Sequence, residues 1–327
     1  MATGGEIAQA LWYVAPGRAE IRDERLPALA SGDVRIRALF GAVSRGTEAL
    51  IAAGRVPVTE HRRMRAPFMA GDFPFPVKYG YSAVGRIEAG PVDLVGRTVF
   101  TLHPHQTLFD LPADAAIIVP SDIPAQRAVL SANMETALNA IWDVSPGPNG
   151  RIAVVGAGVV GALVGFLSSQ IAGADVTLID IDRGRAQLAH TLGVKFAAPE
   201  DAPQDCDYVF HTSASSAGLA TAIGCGGDEA TIIELSWYGA GTVAVPLGGA
   251  FHSRRLKIVA SQVGKVAPSR RAQFTHRQRL EQAIRLLADS RLDALLSQPI
   301  PFNDLPARLP DVLKAGSGIL CPLIRYP

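Results

Sequence analysis

The chain has 327 residues, an apolar content of 48%, a charged content of 19% and a formal net charge of +1. This length predicts two domains, and the balanced composition argues against a disordered chain and against a strongly basic nucleic-acid-binding protein. The three cysteines lie far apart, with no CxxC pair. They argue against a disulfide framework or a structural zinc site and, with no secretory signal visible, indicate the reducing cytoplasm.

The first third of the sequence has the pattern of short strands between turns. Alternating polarity and frequent Gly and Pro indicate antiparallel sheet with one buried face. Strands are predicted at 11–14, 33–40, 83–88, 97–102 and 116–119. A helix is predicted over 124–142, and the turn residues of 146–150 end it.

The most informative motif is a glycine-rich turn between a strand and a helix. A β-branched run at 152–155 is followed by Gly156, Gly158 and Gly161, which have the spacing GxGxxG. The first glycine permits a tight turn, the second lets a pyrophosphate approach the backbone, and the third lets the helix pack against the strand. This turn predicts a dinucleotide site.

The residues around the turn favour NAD. The helix start at Val159 and Val160 directs N–H groups and partial positive charge towards phosphates. Asp180 ends the next apolar strand, nineteen residues after Gly161, where a carboxylate binds the adenosine ribose. Because a carboxylate there repels a 2′-phosphate, NAD(H) is predicted over NADP(H), although Arg183 keeps NADP open as an alternative.

Strands and helices alternate through the second half, which predicts right-handed crossovers and a parallel sheet. Further strands are predicted at 175–180, 208–212, 231–235 and 256–263, and helices at 158–172, 183–192 and 216–223. A helix at 274–287 and a strand at 319–326 are predicted to return to the first domain. The uncharged run 152–174 also has the length of a membrane span, but its glycines and polar residues argue against that interpretation.

Four short motifs lie outside the glycine turn, at 46–54, 80–85, 96–99 and 300–305. Together they resemble the medium-chain dehydrogenase/reductase superfamily over nearly the whole chain. Within that superfamily, residues 44–48 are most similar to bacteriochlorophyllide dehydrogenase-like members.

The resemblance implies an α/β protein of two domains. A GroES-like, β-rich catalytic domain is expected at 1–133 and 263–327, and a Rossmann domain with a doubly wound parallel sheet at 134–262. It further implies a small-molecule substrate, a homodimer formed through the Rossmann domain, and cofactor contacts at Thr136 and Trp237.

Comparison with zinc-dependent alcohol dehydrogenases predicts a metal-free enzyme. Alignment of the motifs places Arg45 and Tyr81 where those relatives have zinc ligands, and counting back from Thr136 places Ala132 at the third ligand. None of the three binds zinc well. His103 and His105 form an HxH pair and are the alternative metal ligands, but no third ligand is evident nearby. As loop or surface histidines they need no special role.

Without zinc, another group must polarise the carbonyl that accepts hydride. We predict that Arg45 supplies a fixed positive charge and that Thr47 or Tyr81 delivers the proton. The alternative is a structural salt bridge between Arg45 and Glu48, with Tyr81 filling the vacated metal cavity.

A long insertion separates Arg45 from Tyr81 and is predicted to lie beside the substrate. Its arginines and phenylalanines suit a bulky, anionic, aromatic substrate, with Arg62 and Arg65 at the charged edge and Phe68 and Phe73 against the ring face. A dimer contact is the alternative. The segment 254–279 adds eight Lys or Arg and no acid, which is either a solvated surface or a further anion-binding surface.

These patterns predict an NAD(P)-dependent oxidoreductase that interconverts an alcohol and a carbonyl without metal. A zinc-free enone or quinone reductase of the same superfamily is one alternative, and a catalytically inactive NAD-binding sensor or subunit is another. Neither nucleic acid nor a membrane is an expected partner.

Overall fold

The computed structural model describes residues 6–327, so the first five residues of the predicted first domain lie outside the described part. The strands are β1 (Ile7–Ala15), β2 (Arg18–Arg25), β3 (Asp33–Ala42), β4 (Ala70–Gly71), β5 (Val77–Lys78), β6 (Ala83–Ala89), β7 (Thr98–Thr101), β8 (Leu108–Pro112), β9 (Ile117–Ile118), β10 (Arg151–Val155), β11 (Asp175–Ile179), β12 (Lys195–Ala197), β13 (Cys206–His211), β14 (Gly226–Glu234), β15 (Lys257–Ala260), β16 (Ile300–Pro301) and β17 (Leu323–Arg325). The α-helices are α1 (Arg45–Ala52), α2 (Ala125–Ala128), α3 (Ser131–Val144), α4 (Val159–Ser169), α5 (Ala186–Leu192), α6 (Ser216–Cys225), α7 (Ala250–Ser253), α8 (His276–Arg285) and α9 (Leu305–Leu313).

The chain forms two units, one of Met1–Ala132 with Leu296–Pro327 and the other of Asn133–Leu295. This division differs from the predicted one at its second boundary, because residues 263–295 belong to the second unit. Arg279, on α8, is only 1% exposed and donates hydrogen bonds to Glu135 and Asn139 of α3. A buried arginine needs such partners, and they fix α8 against α3.

The first unit contains two sheets. A seven-stranded sheet has the order β16-β17-β3-β6-β7-β9, with β8 also paired to β3, and a four-stranded sheet has the order β2-β1-β5-β4. On β3 the apolar Val34, Ile36 and Ala38 are fully buried, while the intervening Arg35 pairs with Asp110. This alternation buries one face of β3, as predicted for antiparallel sheet.

The second unit is built on one parallel sheet with the order β12-β11-β10-β13-β14-β15. Numbered by their sequence order within the unit, the strands follow 3-2-1-4-5-6, the order of doubly wound dinucleotide-binding folds. The order reverses between β10 and β13, and ligands of such sheets bind at the carboxyl ends of the strands beside that point. The predicted α/β fold class is therefore confirmed.

Several elements differ from the sequence predictions. The helix predicted over 124–142 is two helices, α2 and α3, separated by a turn. At this turn the Ser131 hydroxyl donates to the carbonyl of Ala128. Strand β2 was not predicted because it is almost entirely polar, and helix α9 carries Pro310 in its interior. The uncharged run 152–174 folds into β10, a turn and α4, and no described helix is long and apolar enough to cross a membrane.

Candidate functional site

The glycine turn of the second unit has the geometry that its spacing predicts. Gly156 has φ +105°, and a Cβ there would lie 2.8 Å from the Ser213 nitrogen. A Cβ at Gly161 would lie 1.9 Å from the Gly156 carbonyl oxygen, so α4 packs directly on the turn. Both positions therefore require glycine, one for its backbone conformation and both for space.

Gly158 has a different role, because a Cβ there would meet no heavy atom within 4 Å. It precedes α4, whose first residues are Val159 and Val160, and no side chain caps this helix. The N-terminal N–H groups of an uncapped helix and the open space at Gly158 form a cradle that fits a pyrophosphate.

Asp180 is fixed against this turn at the carboxyl end of β11. Its Oδ2 accepts from the Ala157 N–H at 2.7 Å, and its Oδ1 accepts from the Asp182 N–H at 2.8 Å. Arg183 is 68% exposed and pairs with Glu200. The carboxylate thus lies beside the turn, where it suits ribose hydroxyls, while the nearby arginine is engaged by an acid.

Ile181, which is 87% exposed directly after Asp180, was not among the predicted residues. Its position after that carboxylate was the available signal. This isoleucine therefore presents apolar surface next to the Asp180 carboxylate.

The two other predicted cofactor residues also lie in the second unit. Thr136 is in α3 and is partly buried. Trp237 follows the carboxyl end of β14 and is half-buried in a non-helical segment. Their contacts with the cofactor stay predictions.

The first unit brings three hydroxyl groups together. The Tyr81 hydroxyl donates to Ser44 Oγ and lies 3.1 Å from Thr47 Oγ1, with Ser44 and Thr47 at the start of α1 and Tyr81 just before β6. Burial raises the pKa of Tyr81, and the nearby Glu48 carboxylate raises it further, against the opposing effect of the two hydroxyl partners. Tyr81 is therefore a protonated, hydrogen-bonded donor at neutral pH. Ser44 was not among the predicted residues, although it lies in the same motif as Thr47.

Glu48 anchors a fully buried network behind this cluster. Its carboxylate accepts from the Tyr13 hydroxyl at 2.6 Å and from the Ser44 N–H at 2.7 Å, and lies 3.0 Å from His105 Nε2. Burial, together with the nearby Glu48 charge, raises the pKa of Tyr13 well above its ordinary value. These contacts hold the start of α1 in place.

The histidines of the HxH pair are core residues, which corrects the expectation of loop or surface histidines. His105 is fully buried against Glu48. His103 is stacked on Phe109 with ring centroids 3.8 Å apart, and burial lowers its pKa to about 3. Both residues therefore have packing roles.

Arg45 binds main-chain carbonyls. Its Nε donates to the Val312 carbonyl at 2.8 Å, its Nη2 to that of Lys314 at 2.7 Å, and its Nη1 to that of Ile319. A positive charge at a helix C-terminus is favourable, and here it ties α1 to the end of α9. The guanidinium thus has a structural role, and the polarisation of a carbonyl by Arg45 stays a prediction.

A catalytic zinc does not fit the aligned positions. Arg45 is committed to carbonyls, Tyr81 to hydroxyls, and Ala132 has only a methyl group. Across residues 6–327 there is no group of three or more His, Cys, Asp or Glu side chains that could hold a metal ion. The donor chemistry that zinc requires is missing from these positions.

The insertion between Arg45 and Tyr81 is held by its own hydrogen bonds, and part of it is buried. Arg65 donates to Asp72 Oδ1 at 2.6 Å and to the Gly71 carbonyl, and Phe73 is only 8% exposed against Tyr79. This burial argues for a packing role of Phe73, and its contact with a substrate stays a prediction. Arg62 and Phe68 are exposed, and the Phe68 ring stacks on His103.

The chain is similar to known proteins in its structure alone. No family model and no curated protein matches the chain. L-idonate 5-dehydrogenase from Escherichia coli K-12 superposes with a TM-score of 0.80 at 12% identity, covering 98% of this chain and 99% of the other. An alcohol dehydrogenase from E. coli CFT073, complexed with NADH, gives 0.78 at 15% identity, covering 98% and 100%. A dehydrogenase from Sinorhizobium meliloti 1021, described as zinc-binding and bound to NADP, gives 0.77 at 15% identity, covering 98% and 99%. The fold is that of alcohol dehydrogenase-like enzymes.

Proposed function

We propose that the protein is an NAD(H)-dependent oxidoreductase that interconverts an alcohol and a carbonyl. The observation that carries this proposal is the open cradle at Gly158, below the uncapped N-terminus of α4 and beside the Asp180 carboxylate. The structurally similar dehydrogenases bound to NADH or NADP support a nicotinamide cofactor. When bound, the cofactor donates or accepts the hydride.

The first unit supplies the proton in this proposal. Tyr81 donates it to the developing alkoxide during carbonyl reduction, and Ser44 and Thr47 orient the phenol and compensate its lost proton through hydrogen bonds. Positive charge from Arg45 is not needed in this scheme. We further propose that the reaction proceeds without zinc, because the aligned positions lack zinc ligands.

The cofactor preference follows from Asp180. Its carboxylate is held by two backbone N–H groups and would repel a 2′-phosphate, whereas ribose hydroxyls can donate to it. The exposed Ile181 would bury apolar surface below the adenine, so its replacement by Ser is expected to weaken NADH binding.

We propose a bulky anionic or aromatic substrate, supported by the exposed Arg62 and Phe68 of the insertion. We also propose a relationship to bacteriochlorophyllide dehydrogenase-like members. We propose a cytoplasmic location as well, which agrees with the three buried, free cysteines. A homodimer through the nucleotide-binding unit is favoured by β15, an edge strand whose Ile258 is 37% exposed.

The test is a titration followed by a substrate panel. Fluorescence titration should give a lower Kd for NADH than for NADPH, and tighter NADPH binding would overturn the preference. NADH oxidation should then proceed with ketones or aldehydes. Turnover of enones alone would favour the reductase alternative, and cofactor binding without any turnover would favour an inactive NAD-binding protein.

A further inference from the structure

A second group of reactive side chains lies in the nucleotide-binding unit, at the carboxyl ends of two neighbouring strands. His211 ends β13 and Glu234 ends β14, and the parallel register places these residues side by side. Ser213 follows two residues after the histidine. No part of the proposed hydride transfer uses these three side chains.

The hydrogen bonds form a chain from carboxylate to hydroxyl. His211 Nδ1 lies 2.8 Å from Glu234 Oε2, and His211 Nε2 lies 2.7 Å from Ser213 Oγ. Since an ionised carboxylate can only accept, Nδ1 carries the hydrogen. In the neutral ring Nε2 is then an acceptor, and the Ser213 hydroxyl donates to it.

Glu234 is held in this role by two further donors. The Ser236 N–H donates to its Oε1 at 2.7 Å, and the Tyr238 hydroxyl donates to its Oε2 at 3.1 Å. Although burial raises the pKa of Glu234, the hydrogen bonds from His211 and Ser236 outweigh it and hold this pKa below its usual range. The carboxylate therefore stays ionised and orients the imidazole, which is itself fully buried.

Ser213 occupies the turn between β13 and α6. Ala214, the next residue, has φ +52°, and residues 214–217 are exposed to solvent. A Cβ at Gly218 would lie 2.0 Å from Ser213 Oγ, so this glycine leaves the space in which the hydroxyl reaches the imidazole. The Ser215 hydroxyl lies 3.1 Å from Ser213 Oγ and caps the Gly218 N–H in the first turn of α6.

We propose that Glu234, His211 and Ser213 form a nucleophilic triad that hydrolyses activated esters of small carboxylic acids. As Ser213 Oγ bonds to the acyl carbon, its proton passes to His211 Nε2. The bond to the leaving oxygen breaks, and that oxygen takes the proton and departs as the alcohol or phenol. Water then attacks the acyl-serine, gives a proton to His211 Nε2, and releases the carboxylic acid as Ser213 recovers its proton. The step needs no oxidant, metal or nucleotide, so it can be tested apart from the proposed oxidoreductase function, although Ser213 lies beside the glycine turn of the proposed cofactor cradle.

The experiment uses the nucleotide-free full-length protein and a fluorophosphonate, which phosphonylates activated serines with loss of fluoride. Intact-mass spectrometry should show one adduct, peptide mapping should place it on Ser213, and p-nitrophenyl acetate should be hydrolysed with a burst of one p-nitrophenol per chain. His211→Gln and Glu234→Gln should each slow labelling, by about 100-fold or more for the histidine. Ser213→Ala should abolish the adduct, and Ser216→Ala, which removes an exposed hydroxyl three residues further along the chain, is the matched control that should retain it.

A wild-type protein that gives no adduct would overturn the proposal and leave the three residues as a brace between β13 and β14. An adduct on another serine, or labelling of Ser213 at the same rate in a folded His211→Gln variant, would overturn it as well. Labelling of the wild-type protein alone decides whether Ser213 is an activated nucleophile, so a variant that fails to fold does not prevent the test.

Discussion

At the scale of single residues, the proposed chemistry depends on the protonation state of Tyr81. Burial raises its pKa, so the phenol keeps its proton through neutral and mildly alkaline pH. As a proton donor it is active below that pKa and inactive above it. Carbonyl reduction should therefore lose its Tyr81-dependent rate only as pH rises through a value above 10.

Replacement of this residue gives the first prediction. Tyr81→Phe should lower kcat for carbonyl reduction by about 100-fold or more and remove the alkaline decline, because the proton donor is lost. Thr47→Val removes one of its partners and should have a smaller effect, about 10-fold. The Kd for NADH, measured by fluorescence, should change little in both variants. An unchanged kcat in Tyr81→Phe would exclude the phenol as proton donor.

Arg45 provides the second prediction, because its two assigned roles lead to different results. If Arg45 holds α1 against the end of α9, Arg45→Gln should lower the unfolding free energy by about 2–4 kcal/mol, since three hydrogen bonds from a charged donor are lost. Urea denaturation measures this loss. If Arg45→Gln instead unfolds like the wild type and has a lower kcat, Arg45 supplies the positive charge predicted for catalysis.

At the scale of elements, the glycine turn can be tested with a matched pair of substitutions. Gly158→Ala places a methyl group in open space, so the unfolding free energy should change by less than about 1 kcal/mol, while the Kd for NADH should rise about tenfold or more. Gly161→Ala places a methyl group against the Gly156 carbonyl and should destabilise the unit itself. Unchanged NADH affinity in a stable Gly158→Ala variant would remove the turn from the cofactor site.

The insertion between α1 and β5 is the second element with a divided role. Phe73→Ala should lower the unfolding free energy by about 3 kcal/mol or more, because it empties a buried site. Phe68→Ala removes a partly exposed ring and should leave stability nearly unchanged while raising KM for the true substrate. Calorimetry and steady-state kinetics separate these effects, and an unaltered KM would place the substrate elsewhere.

The sequence predicted those elements whose determinants are local. The turn at Gly156, Gly158 and Gly161 depends on a few successive residues, and its strand and helix were predicted with it. The role of Arg45 depends on carbonyls more than 260 residues away, and that of Glu48 on His105, 57 residues away. No local pattern identifies such partners. The sequence around Phe73 likewise does not distinguish a ring that faces a substrate from one that packs against Tyr79.

At the scale of the whole molecule, the two units have separable parts in the proposed reaction. The second unit offers the dinucleotide cradle, and the first offers a protonated hydroxyl cluster in place of metal ligands. Polarisation and protonation by Tyr81 then replace the Lewis acid that zinc would supply. The central claim is that this combination is sufficient for hydride transfer.

The direct test is hydride transfer by metal-depleted protein. The protein is dialysed against a chelator, its zinc content is measured by mass spectrometry, and reduction of the carbonyl panel is followed with NADH deuterated at the transferred position. The account predicts deuterium in the alcohol product at an undiminished rate, with far less than one zinc per chain. Activity that disappears on depletion and returns with one zinc per chain would contradict it.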